Sequence, residues 1–122
     1  MLEPERSMPT QTANNVNFHY DLLGNDTGKK PIIFIGGYAC DINLWRPVAE
    51  QFQDTTQVLI FDNQGIGKTT DNNEPLTLEV MVQNIKALID SLELQGPYIL
   101  AGFAMGGIIA SEICNRLIQN KP

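Results

Sequence analysis

The apolar positions of this chain change period several times, and each change marks an element. Val16, Phe18, Tyr20 and Leu22 alternate with their neighbours, the period of a half-buried strand over Val16–Leu23. Gly24-Asn25-Asp26-Thr27-Gly28 is a turn cluster, rich in residues that favour chain reversal. Pro31-Ile32-Ile33-Phe34-Ile35 is apolar on both faces and ends at Gly36-Gly37, which predicts a central parallel strand covered by helices. Leu44, Val48 and Phe52, with Trp45 and Ala49 beside them, recur at helical spacing. Proline is tolerated only in a helix's first turn, so Pro47 sets the predicted start near Arg46. Val58–Phe61 reads as a second buried strand closed by Asp62, and a polar loop follows through Pro75. Leu78, Met81, Val82, Ile85, Leu88, Ile89 and Leu92 then step by three and four behind Thr77 as N-cap, the strongest helical pattern in the chain. Gln95-Gly96-Pro97 breaks it. Tyr98–Ala101 is the third core strand, and a last helix from about Met105 carries Ile109, Ile113 and Leu117 in line.

Strands that alternate with helices imply βαβ units with right-handed crossovers. The predicted class is α/β: three layers, a mostly parallel sheet with helices on both faces. Residues 1–14 are polar and proline-dotted and read as a flexible leader; residues 15–122 read as a single domain. A chain of 122 residues can bury a real core but is short for an enzyme with an enclosed site. The formal charge of −6 argues against nucleic acid or an anionic membrane as partner, because both favour basic surfaces. Cys40 and Cys114 lie far apart without metal-ligand spacing, so no metal site is expected and both read as buried free thiols in a reducing cytosol. The stretch Met1–Arg6 has no apolar core for a signal peptide, and no run is long enough to span a bilayer, which together read as a cytoplasmic domain.

Candidate chemistry sits at the third strand's end. Gly102-Phe103-Ala104-Met105-Gly106 joins an apolar strand to an apolar helix. With serine at Ala104 it would read G-x-S-x-G, the nucleophile elbow, in which a strained strand-to-helix turn holds a reactive hydroxyl clear of the sheet. Two further loops, Gly36-Gly37-Tyr38-Ala39 and Asp62-Asn63-Gln64-Gly65-Ile66-Gly67, follow the other two core strands at the same sheet end, where open α/β folds bind ligands. Taken in order, these loops resemble the N-terminal half of the α/β-hydrolase fold. The likeness runs from Val16 onward and is closest to the small esterase, enol-lactonase and carbon–carbon hydrolase branch. There the first loop usually reads His-Gly-x, a tryptophan follows (Trp45 here), the second loop reads D-x-x-G-x-G, and the elbow reads G-x-S-M-G-G, against Gly102 to Gly107.

The resemblance implies a division of labour. Ala104 occupies the nucleophile position, backbone N–H groups of Tyr38 and Met105 would form the oxyanion hole, and Gly36, Gly37, Gly102, Phe103 and Gly106 shape the loops. The acid and histidine follow the elbow in the family's order, so both would lie beyond Pro122; His19 reads as a strand residue. No cofactor is implied. The implied function is the N-terminal fragment of a serine hydrolase for small ester, lactone or related acyl substrates, inactive as written because Ala104 cannot attack a carbonyl. The alternative is a non-catalytic binding or interaction module on the same fold. Ala104 fits either a natural, degenerate hydrolase or a deliberate serine-to-alanine change. Gly36 also departs from the family by replacing the first-loop histidine.

Other readings of the same residues are weaker. Gly65-Ile66-Gly67-Lys68-Thr69-Thr70 matches only the tail of a phosphate-binding loop; Asp62 holds the first glycine's place, where a carboxylate repels phosphate. Cys40 lacks a histidine partner for a nucleophile's role, Cys114 reads as core, and Asp62 reads as bonding the turn that follows it. Ending near residue 122 would leave the edge of Tyr98–Ala101 unpaired and the helix 105–119 partly uncovered. An unpaired apolar edge is a template for another chain, so the expectation is a homo-oligomer, or a second chain that supplies the missing half through the 98–101 edge, around a small-molecule acyl ligand.

Overall fold

Period-two burial sorts the strands onto one sheet whose two faces carry different helices. The computed structural model describes residues 10–14, 16–37, 41–63, 69 and 77–118. Its elements are β1 (Thr10–Ala13), β2 (Val16–Leu23), β3 (Ile32–Ile35), α1 (Ile42–Phe52), β4 (Val58–Phe61), α2 (Leu78–Ser91), β5 (Ile99–Gly102) and α3 (Met105–Ile118). The sheet order is β1-β2-β4-β3-β5. β3 pairs in parallel with both β4 and β5, Ile32 lying opposite Val58 on one side and Ile99 on the other. β2 adds to β4 antiparallel, with Tyr20 opposite Phe61, and β1 adds antiparallel to β2. The fold is therefore α/β, with a mixed sheet and helices on both faces.

Consecutive residues of β3 and β4 enter different cores, which is why both runs are apolar throughout. Ile32, Phe34, Val58 and Ile60 pack with Ile42 and Ala49 of α1. Ile33, Ile35, Leu59 and Phe61 pack with Val82, Ile85 and Leu88 of α2 and Ile109 and Ile113 of α3. Phe18 of β2 meets Phe61 edge-on, with ring centroids 5.9 Å apart, a favourable aromatic geometry.

Four expectations change. β1 lies within the stretch read as leader: its polar sequence TQTA carries no apolar alternation, and its order comes from pairing with β2 and from the buried Ala13. Residues 1–9 lie outside the described residues. α1 begins at Ile42, not near Arg46, because the Asp41 side chain caps it by accepting the Asn43 N–H at 2.9 Å. Pro47 sits inside the helix on its exposed side, where the carbonyl it deprives of a donor can bond water. The buried face of α1 also differs, since Leu44, Val48 and Phe52 are exposed. Ile42, Trp45 and Ala49 turn to the sheet instead, and Trp45 stacks on Phe34 at 4.8 Å. Cys114 is exposed rather than core; Cys40 lies outside the described residues.

Polar ties lock the layers. Arg46 of α1 donates to Asp21 of β2 at 3.0 Å, and Arg116 of α3 pairs with Glu79 of α2 and with Glu112 on its own helix. Among the described residues no helix is long and apolar enough to cross a membrane.

Leu88 is fully buried between α2 and the sheet, so Leu88→Ala should lower unfolding stability by about 2–5 kcal/mol in urea titrations. The hydrogen bond from Arg116 holds the Glu79 carboxyl below its usual range. A lowered carboxyl contributes stability above its unfolded-state pKa and loses it as pH falls through the folded value. Wild type should therefore lose its margin over Glu79→Gln below about pH 4, and salt should shrink that margin at neutral pH because the pair is exposed.

Candidate functional site

At the end of β5 the backbone ladder runs one step beyond the strand, as Phe103 N–H donates to the Ile35 carbonyl at 3.0 Å. The chain then reverses. Ala104 adopts φ +55°, a left-handed conformation that strains any residue with a β-carbon by about 1–2 kcal/mol. Gly106 N–H bonds the Phe103 carbonyl and Gly107 N–H the Ala104 carbonyl, each at 2.9 Å, and α3 has begun. A β-carbon on Gly102 would lie 2.3 Å from the Gly106 oxygen, and one on Gly106 would lie 2.0 Å from the Ile35 oxygen. Those distances leave room for glycine alone. Ala104 and Phe103 are exposed at the tip, and Met105 is partly buried against the core. The N–H of Met105 meets no acceptor among the described residues, as befits a first-turn amide at the positive end of a helix.

The first loop crosses the mouth of this turn. Gly36 and Gly37 are buried, and a β-carbon on Gly37 would stand 3.0 Å from the Phe103 oxygen, 3.2 Å from the Ala104 methyl and 3.3 Å from the Met105 nitrogen. Any side chain at Gly37 would fill the space before the Met105 N–H. Tyr38, Ala39 and Cys40 lie outside the described residues, and so does the partnering amide expected from Tyr38.

The second loop contributes through side chains. Asn63 Nδ2 donates to the Gly36 carbonyl at 2.7 Å. Asp62 Oδ1 accepts the Ile42 N–H at 2.6 Å, and its Oδ2 lies 2.8 Å from His19 Nδ1. The Thr69 hydroxyl donates to the Asp62 carbonyl at 2.6 Å and accepts the His19 N–H at 2.9 Å. Asp62 N–H donates to the His19 carbonyl at 3.0 Å. His19 is thus a buried strand residue, as expected, but its pairing with Asp62 is not evident from sequence. The register that sets Tyr20 opposite Phe61 sets His19 opposite Asp62, and only the direction of strand pairing reveals it. The described bonds of the Asp62 carboxylate run to α1 and β2, while residues 64–68 of the turn it was expected to bond lie outside the described residues. Gly65 to Lys68 lie outside the described residues, and so does most of the phosphate-loop reading. The described residues contain no cluster of three metal-ligating side chains.

β5 is the last strand of the sheet, with Ile99 47 % exposed. Beside its outer edge, Leu100, Gly102, Gly107, Ala110 and Cys114 line a shallow groove between strand and α3.

A strained strand-to-helix turn at the parallel strands' carboxyl ends, crossed by a glycine loop, is a hydrolase arrangement, and a family model described as a thioesterase domain matches residues 33–122. The chain belongs to the thioesterase-domain family of α/β hydrolases. Over 106 residues it is 26 % identical to a protein of Azorhizobium caulinodans described as a carbamate hydrolase, RutD, covering 87 % of this chain and 38 % of that one. Over 100 residues it is 36 % identical to a protein of Mycobacterium tuberculosis described as a non-heme bromoperoxidase, BpoC, covering 80 % and 36 % respectively. Its fold superposes with a TM-score of 0.79 and 24 % identity on a serine-to-alanine mutant of the meta-cleavage product hydrolase of Pseudomonas fluorescens, complexed with acetates, covering 88 % of this chain and 40 % of that one. The chain thus spans about two-fifths of the length of the relatives it matches.

The elbow's strain sets a prediction. Ala104→Gly should leave urea stability unchanged or raise it by up to about 1 kcal/mol, because glycine adopts positive φ freely. Gly106→Ala should lower it by about 2 kcal/mol or more, since the clash is with backbone. A fall of similar size for both would mean that Ala104 is not strained in solution.

Proposed function

We propose that this chain is the elbow-bearing part of a serine hydrolase for small ester, lactone or related acyl substrates, catalytically silent because a methyl group stands at the nucleophile position. The observation that carries this reading is Ala104 at φ +55°, framed by Gly102 and Gly106 at the start of α3. The turn keeps the shape that exposes a nucleophile, and only the hydroxyl is missing. Met105 N–H and the amide of Tyr38 are the proposed oxyanion donors, with Gly37 shaping the space before the Met105 N–H. The sequence has no histidine after His19, so the family's Ser…Asp/Glu…His order assigns the base and its acid to sequence outside these residues.

The same observation favours a second reading, a non-catalytic module that binds an acyl or carboxylate ligand. The serine-to-alanine mutant of the Pseudomonas hydrolase, complexed with acetates, suggests acetate as the probe for this reading. For completion of the sheet we propose a second copy or a separate chain pairing along the 98–101 edge, where β5 has no outer neighbour among the described residues. We assign the chain to the cytoplasm, where the exposed Cys114 thiol stays reduced.

Two measurements separate the readings. Ala104→Ser, in a chain continued to its relatives' length, should hydrolyse short p-nitrophenyl esters at least about 10³-fold faster than the alanine form. A folded, inactive serine form would favour the binding module. In the 122-residue chain, acetate should shift the Met105, Gly106 and Gly37 amide resonances selectively; shifts spread evenly over the surface would contradict a ligand site at the elbow.

A further inference from the structure

Two consecutive side chains at the end of β4 hold the same loop at its two ends. Asn63 binds the Gly36 carbonyl at 2.7 Å, and Asp62 binds the Ile42 N–H at 2.6 Å. Between those points the backbone brings Gly37 against the elbow, its missing β-carbon 3.2 Å from the Ala104 methyl. Burial makes this an arrangement that stability alone would not select. Asn63 and His19 are each only 6 % exposed, and Asn63 Oδ1 and His19 Nε2 find no hydrogen-bond partner among the described residues. A buried polar atom left unmet costs free energy that an apolar side chain of similar size avoids. Leucine could fill the space of Asn63 but could not hold the Gly36 carbonyl.

We propose that Asn63 and Asp62 are positioning residues that set the approach of Gly37 to the elbow, Asn63 at the loop's entry and Asp62 at its exit. His19 orients the carboxylate. With Oδ2 engaged by the imidazole Nδ1, Oδ1 is turned toward Ile42. The proposal rests on the reading of the Gly37–Met105 space as the acyl site and adds what fixes that site's width.

The test is NMR of the 122-residue chain, comparing wild type with Asn63→Leu and Asp62→Asn. In wild type, Gly37 Hα should show a nuclear Overhauser contact with the Ala104 methyl. In Asn63→Leu the chain should still fold, with at most a modest fall in melting temperature from the unmet Gly36 carbonyl, while this contact weakens several-fold and the Gly36 carbonyl resonance moves upfield. In Asp62→Asn the Ile42 amide proton should move upfield and exchange about tenfold faster, with Leu59 and Ile85 amides unchanged. With acetate as probe, both variants should weaken the Met105 response. An unchanged Gly37–Ala104 contact in both variants overturns the proposal. So does failure of Asn63→Leu to fold, or exchange that rises equally across the sheet, because the residues would then serve global stability. Absence of any acetate response in wild type refutes the acyl-site reading alone, since the Gly37–Ala104 contact still decides the positioning.

Discussion

The structure turns on backbone contact between the first turn of α3 and the ends of β3 and β5. Gly106 lies so near the Ile35 carbonyl that a methyl group would overlap it, and Gly102 lies equally close to Gly106. This contact fixes where the helix starts relative to the sheet. It therefore fixes the left-handed turn at Ala104, the direction of the Met105 N–H and the surface over which the first loop must pass. Ile109 and Ile113 then bury themselves one and two turns along, so the core on that face is in register with the turn. Packing density makes this coupling stiff, because a helix seated against a sheet cannot shift by a fraction of an ångström without opening a void.

A second constraint acts at right angles to the first. The end of β4 meets the middle of β2 in an antiparallel step that places His19 and Asp62 side by side, with the Thr69 hydroxyl bridging their backbones. Asp62 reaches from there to the start of α1, and Asn63 reaches to Gly36. The elbow is held by van der Waals exclusion and the opposing loop by directed hydrogen bonds. Exclusion sets a minimum approach, whereas hydrogen bonds also set a maximum. The approach of Gly37 to the elbow is bounded in both ways.

Features governed by neighbours in sequence were legible; those governed by strand pairing were not. The elbow could be read because two glycines framing a single residue, after an apolar strand and before an apolar helix, state a local steric requirement. The long helix could be read because its apolar stripe faces one core. β3 and β4 could be read because burial on both faces leaves continuous apolar runs. β1 escaped notice because Thr10–Ala13 owes its order to a partner strand. The start of α1 was misplaced because Pro47 weighs on propensity, while Asp41 capping and the Asp62–Ile42 bond outweigh it from outside the local window. Its buried face was misread because both stripes of that helix are apolar, and only the sheet's position chooses between them. The His19–Asp62 pair is invisible without the antiparallel register, since the two residues are 43 positions apart.

The strain at Ala104 bears on what a nucleophile contributes to this fold. A residue with a β-carbon at positive φ persists only where its surroundings over-determine the backbone. Here the surroundings are Gly102, Gly106 and the Phe103–Ile35 hydrogen bond, none of which involves a side chain at position 104. The turn is thus built by its frame and not by its occupant, and exchanging hydroxyl for hydrogen leaves that frame untouched. On the proposed reading, ligand geometry and bond-making chemistry are then separable properties of the site. The first belongs to the sheet, the glycines and the loop clamp; the second belongs to one oxygen atom and to groups that act on it.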